Sequence, residues 1–227
     1  MRLSSFLRTT IGKKFVVAIT GLLFGGFLVT HMAANLLLLF DGDAYNKYSH
    51  ALITNPLLPV AELALVVFLV THLGLALWLS WKNRQARPVS PAKLPPVGNR
   101  KRANVMSRTM AYTGLLTLAF LVLHLWTFKY GTYYSTVVDG VEMRDLFRLV
   151  VEKFQSPLYV VWYVLSLVLL GGHLSHGIAA TAQTLGFTSV RRSKWQTAAT
   201  FAAWLLMAGF IVQPIFLYFG LSFAGGR

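Results

Sequence analysis

Cysteine is absent from the 227 residues, which excludes disulfides, Cys-ligated iron–sulfur clusters and covalent c-type haem attachment through C-x-x-C-H. Charge is scarce as well: 12% of residues are Asp, Glu, Lys or Arg against 56% hydrophobic, and seven are acidic. So little charge cannot cover a water-soluble domain, and apolar runs of about twenty residues match the length that crosses a bilayer. Proline is sparse outside Pro88, Pro91, Pro95 and Pro96, which make the segment around them extended rather than helical. The formal charge of +14 would suggest a nucleic-acid partner in a soluble chain. Here the excess sits in short segments between apolar runs, where it reports orientation.

Five spans are predicted, about 15–40, 57–81, 108–128, 157–181 and 195–219, in one domain covering 1–227. Segments 1–14, 82–108 and 182–194 hold four, eight and three basic residues, fifteen of the 21 Lys and Arg. The opposite ends hold the other six and all seven acids. The positive-inside rule then sets the N-terminus in the cytoplasm and the C-terminus outside, in a multi-pass protein of the cell inner membrane. The first run exceeds a signal-peptide core and is expected to stay in the mature chain. The basic segment from Lys82 reads as an orientation signal on anionic headgroups or as a docking surface for a soluble partner. Met143, Leu146, Phe147, Val150, Val151 and Phe154 fall at helical spacing, which predicts an amphipathic helix over 141–155 lying as a lid at the outer side. Pro56 and Pro157 are expected to open spans two and four, where a missing N–H costs nothing.

The chain repeats itself. Thr20 to His31, TGLLFGGFLVTH, returns at Thr113 to His124 as TGLLTLAFLVLH, identical at eight of twelve positions. Pro56 precedes His72 by sixteen residues, and Pro157 precedes His173 by the same sixteen. The pattern is two copies of a two-helix unit, each helix carrying one His. An ionisable ring in an apolar span is costly and marks a functional site by default. Depth sorts the rings: His31 and His124 lie towards the outer ends of their spans, His72 and His173 towards the inner ends, roughly 10 Å apart along the helix axes at ~1.5 Å per residue. Two imidazoles at one depth are the arrangement that holds a b-type haem, one on each face of the iron. Zinc would want a tighter cluster. His176, one turn from His173, competes as the span-four ligand. Thr20 and Thr113 share the His face and are candidate haem contacts, and the glycines beside them leave room for a macrocycle or for close helix packing. His50 falls in an outer loop, either solvated or a proton donor.

With these residues in view, the chain resembles the cytochrome b membrane anchor of succinate:quinone oxidoreductases, the succinate dehydrogenase and fumarate reductase group, in its single-subunit form. The resemblance runs through K-K-x-x-x-A-x-T-G and H-M-A-A-N at Lys13 to Asn35, A-Y-N-K-Y-S-H with N-P, F-L-V-T-H, T-G-L-L to His124, and H-L-S-H-G-I-A-A-T-A-Q-T-L-G at His173 to Gly186. It implies an all-α membrane protein, five transmembrane helices in a bundle with two stacked b haems. His31 and His124 would ligate the outer haem, His72 and His173 the inner one, with Arg108 a further haem contact. It implies partners too: a flavoprotein subunit that oxidises succinate, an iron–sulfur subunit docked on the cytoplasmic face, and membrane quinone, menaquinone, as substrate. Two quinone sites suggest themselves, one near Tyr45, Asn46, Ser49 and His50, the other near Trp81, Ser107 and Arg108. Some fumarate reductases of this type carry a Glu two positions before the span-four ligand, associated with transmembrane proton movement; here that position is Gly171. The competing readings are a dihaem cytochrome b of a hydrogenase or formate dehydrogenase, and a haem-free transporter or scaffold with proton-relay histidines.

Overall fold

The computed structural model describes residues 3–86, 105–187 and 194–224, with side chains for 4–86, 109–187 and 194–220. The proline-rich basic segment 87–104 and the pair Arg191 and Arg192 lie outside the described residues. The elements are α1 (Leu3–Arg8), α2 (Thr10–Asn35), α3 (Gly42–Ile53), α4 (Leu58–Gln85), α5 (Val105–His124), β1 (Ser135–Val138), β2 (Val141–Arg144), α6 (Leu146–Phe154), α7 (Pro157–Thr184) and α8 (Lys194–Ala224). Five of the helices are long and apolar enough to cross a membrane: Thr10–Leu39, Leu58–Gln85, Thr109–Lys129, Pro157–Thr184 and Lys194–Gly220. This is the make-up of a multi-pass membrane protein.

These spans keep the expected order, and the first, second and fourth run three to five residues past the expected ends on the basic side. The apolar run of α4 stops near Trp81, yet the helix continues through Lys82 and Arg84, which favour the negative end of its dipole. The apolar boundary marks the hydrocarbon edge, and backbone hydrogen bonding does not stop there. Pro157 opens α7 as expected. Pro56 does not open α4; it sits in the preceding turn, and the proline in the first turn of α4 is Pro59.

α2 packs against α4 and α7, α5 against α7, and α7 against α8. None of the apolar stretch of α4 is buried within the protein, against 39% of that of α8. The outward residues Leu63, Val66, Val67 and Val70 are therefore left to lipid, for which apolar side chains are the fitting surface. Leu167, Leu170, Leu206, Met207 and Phe210 form the α7–α8 seam, joined by Leu28 and Met32 of α2.

Opposite the basic ends of the spans lies a polar-rimmed cap made of α3, the β1–β2 hairpin and α6, called the hairpin end below. Two expectations change here. Residues 42–53 form a helix rather than a loop, started by the Asp41 carboxylate, which accepts from the N–H groups of Asp43 and Ala44 at 2.9 and 3.0 Å. Of the predicted helix over 141–155, the first four residues are instead a hairpin strand. Asp139 and Gly140 both take positive φ, 52° and 78°, the geometry of the two-residue turn that matches strand twist, and they pair Val138 with Val141. Val138 and Met143 face inward. Met143 is in helical phase with Leu146 and Phe147, so periodicity could not separate the strand from the helix that follows. α6 begins only at Leu146, where Asp145 accepts from Arg148 N–H at 3.0 Å, and it buries Leu149, Val150 and Phe154. Val150 and Phe154 meet Leu38, Tyr45, Tyr163 and Leu217, closing the hairpin end.

Candidate functional site

Of the four candidate ligands, His31 and His124 have their rings side by side, while His72 and His173 are each held by a threonine of the preceding span of their own unit. His72 of α4 lies against α2 of its own unit. Its Nδ1 is 3.1 Å from Thr20 Oγ1 and 3.1 Å from the Val17 carbonyl oxygen. His173 of α7 lies against α5 in the same way, its Nδ1 3.1 Å from Thr113 Oγ1 and bonded to the backbone of Met110. Val17 and Met110 each stand three residues before the threonine, so the second unit repeats the threonine contact and the backbone partner of the first. Thr20 and Thr113, expected at the haem edge, therefore contact the histidines themselves. The next residue is glycine in both units, and a Cβ added at Gly21 or Gly114 would stand 3.3 or 3.4 Å from Cε1 of the same ring. The space read in the sequence as room for a macrocycle or for close helix packing is occupied by imidazole. His72 and His173 are near enough to act on each other electrostatically.

His31 and His124 sit eleven residues further along α2 and α5, about 16 Å of helix rise from the threonines. Their ring centroids are 5.8 Å apart with planes 87° apart. Two imidazoles that share a metal at about 2 Å per bond hold their centroids about 6 Å apart, so the spacing suits a shared metal. Phe27 stacks on His31 at 5.3 Å and Phe120 lies over His124 at 5.8 Å, each one helical turn before its histidine. Phe210 and Phe128 complete the apolar surround.

The partners of this second pair differ from each other. Tyr163 Oη of α7 is 3.2 Å from His124 Nδ1. The Asn35 amide lies 3.4 Å from His31 Nδ1 and donates to the His31 carbonyl at 2.7 Å. Tyr45 of α3 donates to Asn35 Oδ1 at 3.3 Å, so a polar chain runs from the cap to His31. Burial pushes the Tyr45 phenol above its ordinary range, with Arg144 opposing, so it remains a donor. α5 leaves α-geometry immediately after His124 in a π-helical turn, Leu125–Lys129, a deviation that recurs at functional sites. Arg144 closes this turn by donating to the carbonyls of Lys129, Thr132 and Gly131, and Lys129 pairs with Glu62 of α4, linking the two units.

His176 is half-buried beside His173 but does not make the threonine contact, which belongs to His173. Among the candidates at the hairpin end, Asn46 is already committed: its amide donates to Asp145 Oδ1 at 2.9 Å and accepts from Phe147 N–H at 2.9 Å, fastening α3 to α6. Ser49 is buried and His50 half-buried on the same helix. Trp81, at the opposite end, is exposed, with Lys82 Nζ 4.9 Å from its ring. The side chains of Ser107 and Arg108 lie outside the described residues. The fastening by Asn46 and Asp145 and the Tyr163 partner of His124 were missed in the sequence, since both join residues far apart in the chain.

Among the described residues no three His, Cys, Asp or Glu side chains gather as a metal site would need. The donors present are imidazoles in an apolar surround, the side chains that could hold a flat metal cofactor. The structure thus defines a multi-pass membrane protein whose spans carry histidines beside one another and beside threonines. No protein-family model, curated protein or solved structure matches the chain.

Proposed function

We propose that this chain is the dihaem cytochrome b membrane anchor of a succinate:quinone oxidoreductase, passing electrons between a docked iron–sulfur subunit and membrane quinone, with succinate chemistry on a flavoprotein subunit. The observation that carries the reading is the duplicated hold on His72 and His173. Tying Nδ1–H to acceptors leaves the Nε2 lone pair free, as metal-ligating imidazoles require. His72 and His173 would hold the inner haem, His31 and His124 the outer. Haem iron supplies reversible one-electron transfer when bound. The chain's own residues fix the rings at two levels, exclude water from the outer pair with Phe27, Phe120, Phe128 and Phe210, and bring the Tyr45–Asn35 chain beside it.

For quinone, menaquinone by the resemblance, the hairpin end offers Tyr45, Ser49 and His50 as hydrogen-bonding and titratable groups. The iron–sulfur subunit would dock at the basic end, on segment 82–108, facing the cytoplasm. A side chain at Gly171 would press on Trp204 and Met207, each 3.0 Å from an added Cβ, so the glutamate of some fumarate reductases would need both to give way here. This favours an electron-transfer anchor without a proton path through that position.

The purified complex should give a haem b reduced-minus-oxidised spectrum with two components on redox titration. His31→Ala and His124→Ala should remove one common component, His72→Ala and His173→Ala the other, while His176→Ala keeps both. A featureless spectrum sinks the proposal in favour of a haem-free transporter or scaffold. Co-purification with a hydrogenase or formate dehydrogenase in place of a flavoprotein moves the chain to that alternative.

A further inference from the structure

We propose that Thr20 and Thr113 are positioning residues that fix the tautomer and direction of His72 and His173, making the two rings one matched pair of donors; this rests on the haem reading above. The Val17 carbonyl can only accept, so the His72 nitrogen 3.1 Å from it carries the proton. Thr20 sends its own hydroxyl proton back along α2, to Val16 O at 2.8 Å or Val17 O at 3.1 Å. That leaves an oxygen lone pair aimed at the same Nδ1–H. Thr113 does likewise, donating to Met110 O at 3.1 Å while its oxygen stands 3.1 Å from His173 Nδ1. In a neutral ring so held, the remaining lone pair is on Nε2, which points away from the threonine.

A threonine that bonds only its own helix is commonplace in an apolar span. What sets these two apart is the second contact, made in both units to the histidine of the next helix, with glycine beside it in both. Each ring is located by the hydroxyl at Nδ1 and by the missing side chain at Cε1. The other pair has no such device: Asn35 on its own helix serves His31, and Tyr163 from α7 serves His124. A change at either threonine should therefore reach one pair and spare the other.

The test uses the full complex with Thr20→Val, Thr113→Val, the corresponding Ser variants and Gly21→Ala. Valine keeps the shape and removes the acceptor; serine restores it. Each Val variant is expected to weaken haem retention about 10- to 100-fold, or to shift the midpoint potential, in the component that His72→Ala and His173→Ala delete. The other component should keep its wild-type potential and occupancy, and serine should restore both. Gly21→Ala, which crowds Cε1, should disturb the same component as Thr20→Val. Val variants with both components unchanged, or both disturbed alike, overturn the assignment, as does serine behaving like valine. If a Val variant fails to assemble, the Ser and Gly21→Ala variants decide by the same criteria. Wild-type protein that takes up no haem overturns the functional reading and this inference together; wild-type protein with two haems and silent threonine variants overturns the positioning role alone.

Discussion

Replacing Asn46 by alanine should loosen the cap without touching a histidine. Asn46 is 3% exposed, and its two hydrogen bonds at 2.9 Å are the polar link between α3 and α6. Alanine strands the Phe147 N–H and removes one of two donors to Asp145, which keeps Arg148 N–H at 3.0 Å. A buried donor left unpaired costs about 1–3 kcal/mol, and a bond to a charged acceptor contributes about 1.5–3, so a loss of at least about 2.5 kcal/mol is expected. If α6 exchanges its amide protons by lifting from α3, that loss is at least about a 60-fold acceleration over residues 146–154. Hydrogen exchange in detergent reads it directly, with the α7 peptides as the internal standard. Asn46→Asp keeps the acceptor for Phe147 but sets a carboxylate against Asp145, so it should loosen the cap at neutral pH and recover as one carboxyl is protonated. Because Tyr45 is the neighbouring residue on α3, both variants should also alter the haem component assigned to His31 and His124 and leave the other alone. Exchange over 146–154 within about twofold of wild type for Asn46→Ala would refute the fastening.

Gly171→Ala puts a Cβ 3.0 Å from Met207 Cγ and Trp204 Cζ3, at a seam where Met207 is fully buried. Overpacking of this kind costs about 1–3 kcal/mol, so the thermal midpoint in detergent should fall; an unchanged midpoint would mean that α8 shifts freely. Tyr134 donates to Glu152 at 2.7 Å, and this bond, aided by Lys153 and Arg148, holds the carboxyl below its ordinary value. The folded state then binds the proton less readily than the unfolded chain. The contribution to stability is present above the ordinary carboxylate range and is lost as pH falls through the lowered value. Glu152→Gln should flatten that part of the acid unfolding curve, and a curve identical to wild type would exclude the linkage.

Composition and hydropathy alone determined five apolar spans and their order, because in lipid every backbone group must be satisfied within a helix and the run length follows the hydrocarbon thickness. The duplicated T-G-L-L…H segment marked His31 and His124, and the equal Pro-to-His spacing marked His72 and His173, because a repeated ionisable ring in an apolar span stands out in the sequence itself. The sequence also contained the Asp139-Gly140 turn, but helical phase in the residues after it masked the signal, and 141–144 was read as helix. What the tertiary structure decided is which atoms meet. That Thr20 and Thr113 face imidazoles, that Gly21 and Gly114 are the space for those rings, and that Gly171 is closed by Trp204 and Met207 all depend on how one helix is rotated and translated against another. That Asn46 fastens α3 to α6 is decided in the same way, since its partners Asp145 and Phe147 lie about a hundred residues along the chain. Periodicity records which face of a helix is apolar, whereas a hydrogen bond between helices is set by their packing, and a single chain carries no local mark of it.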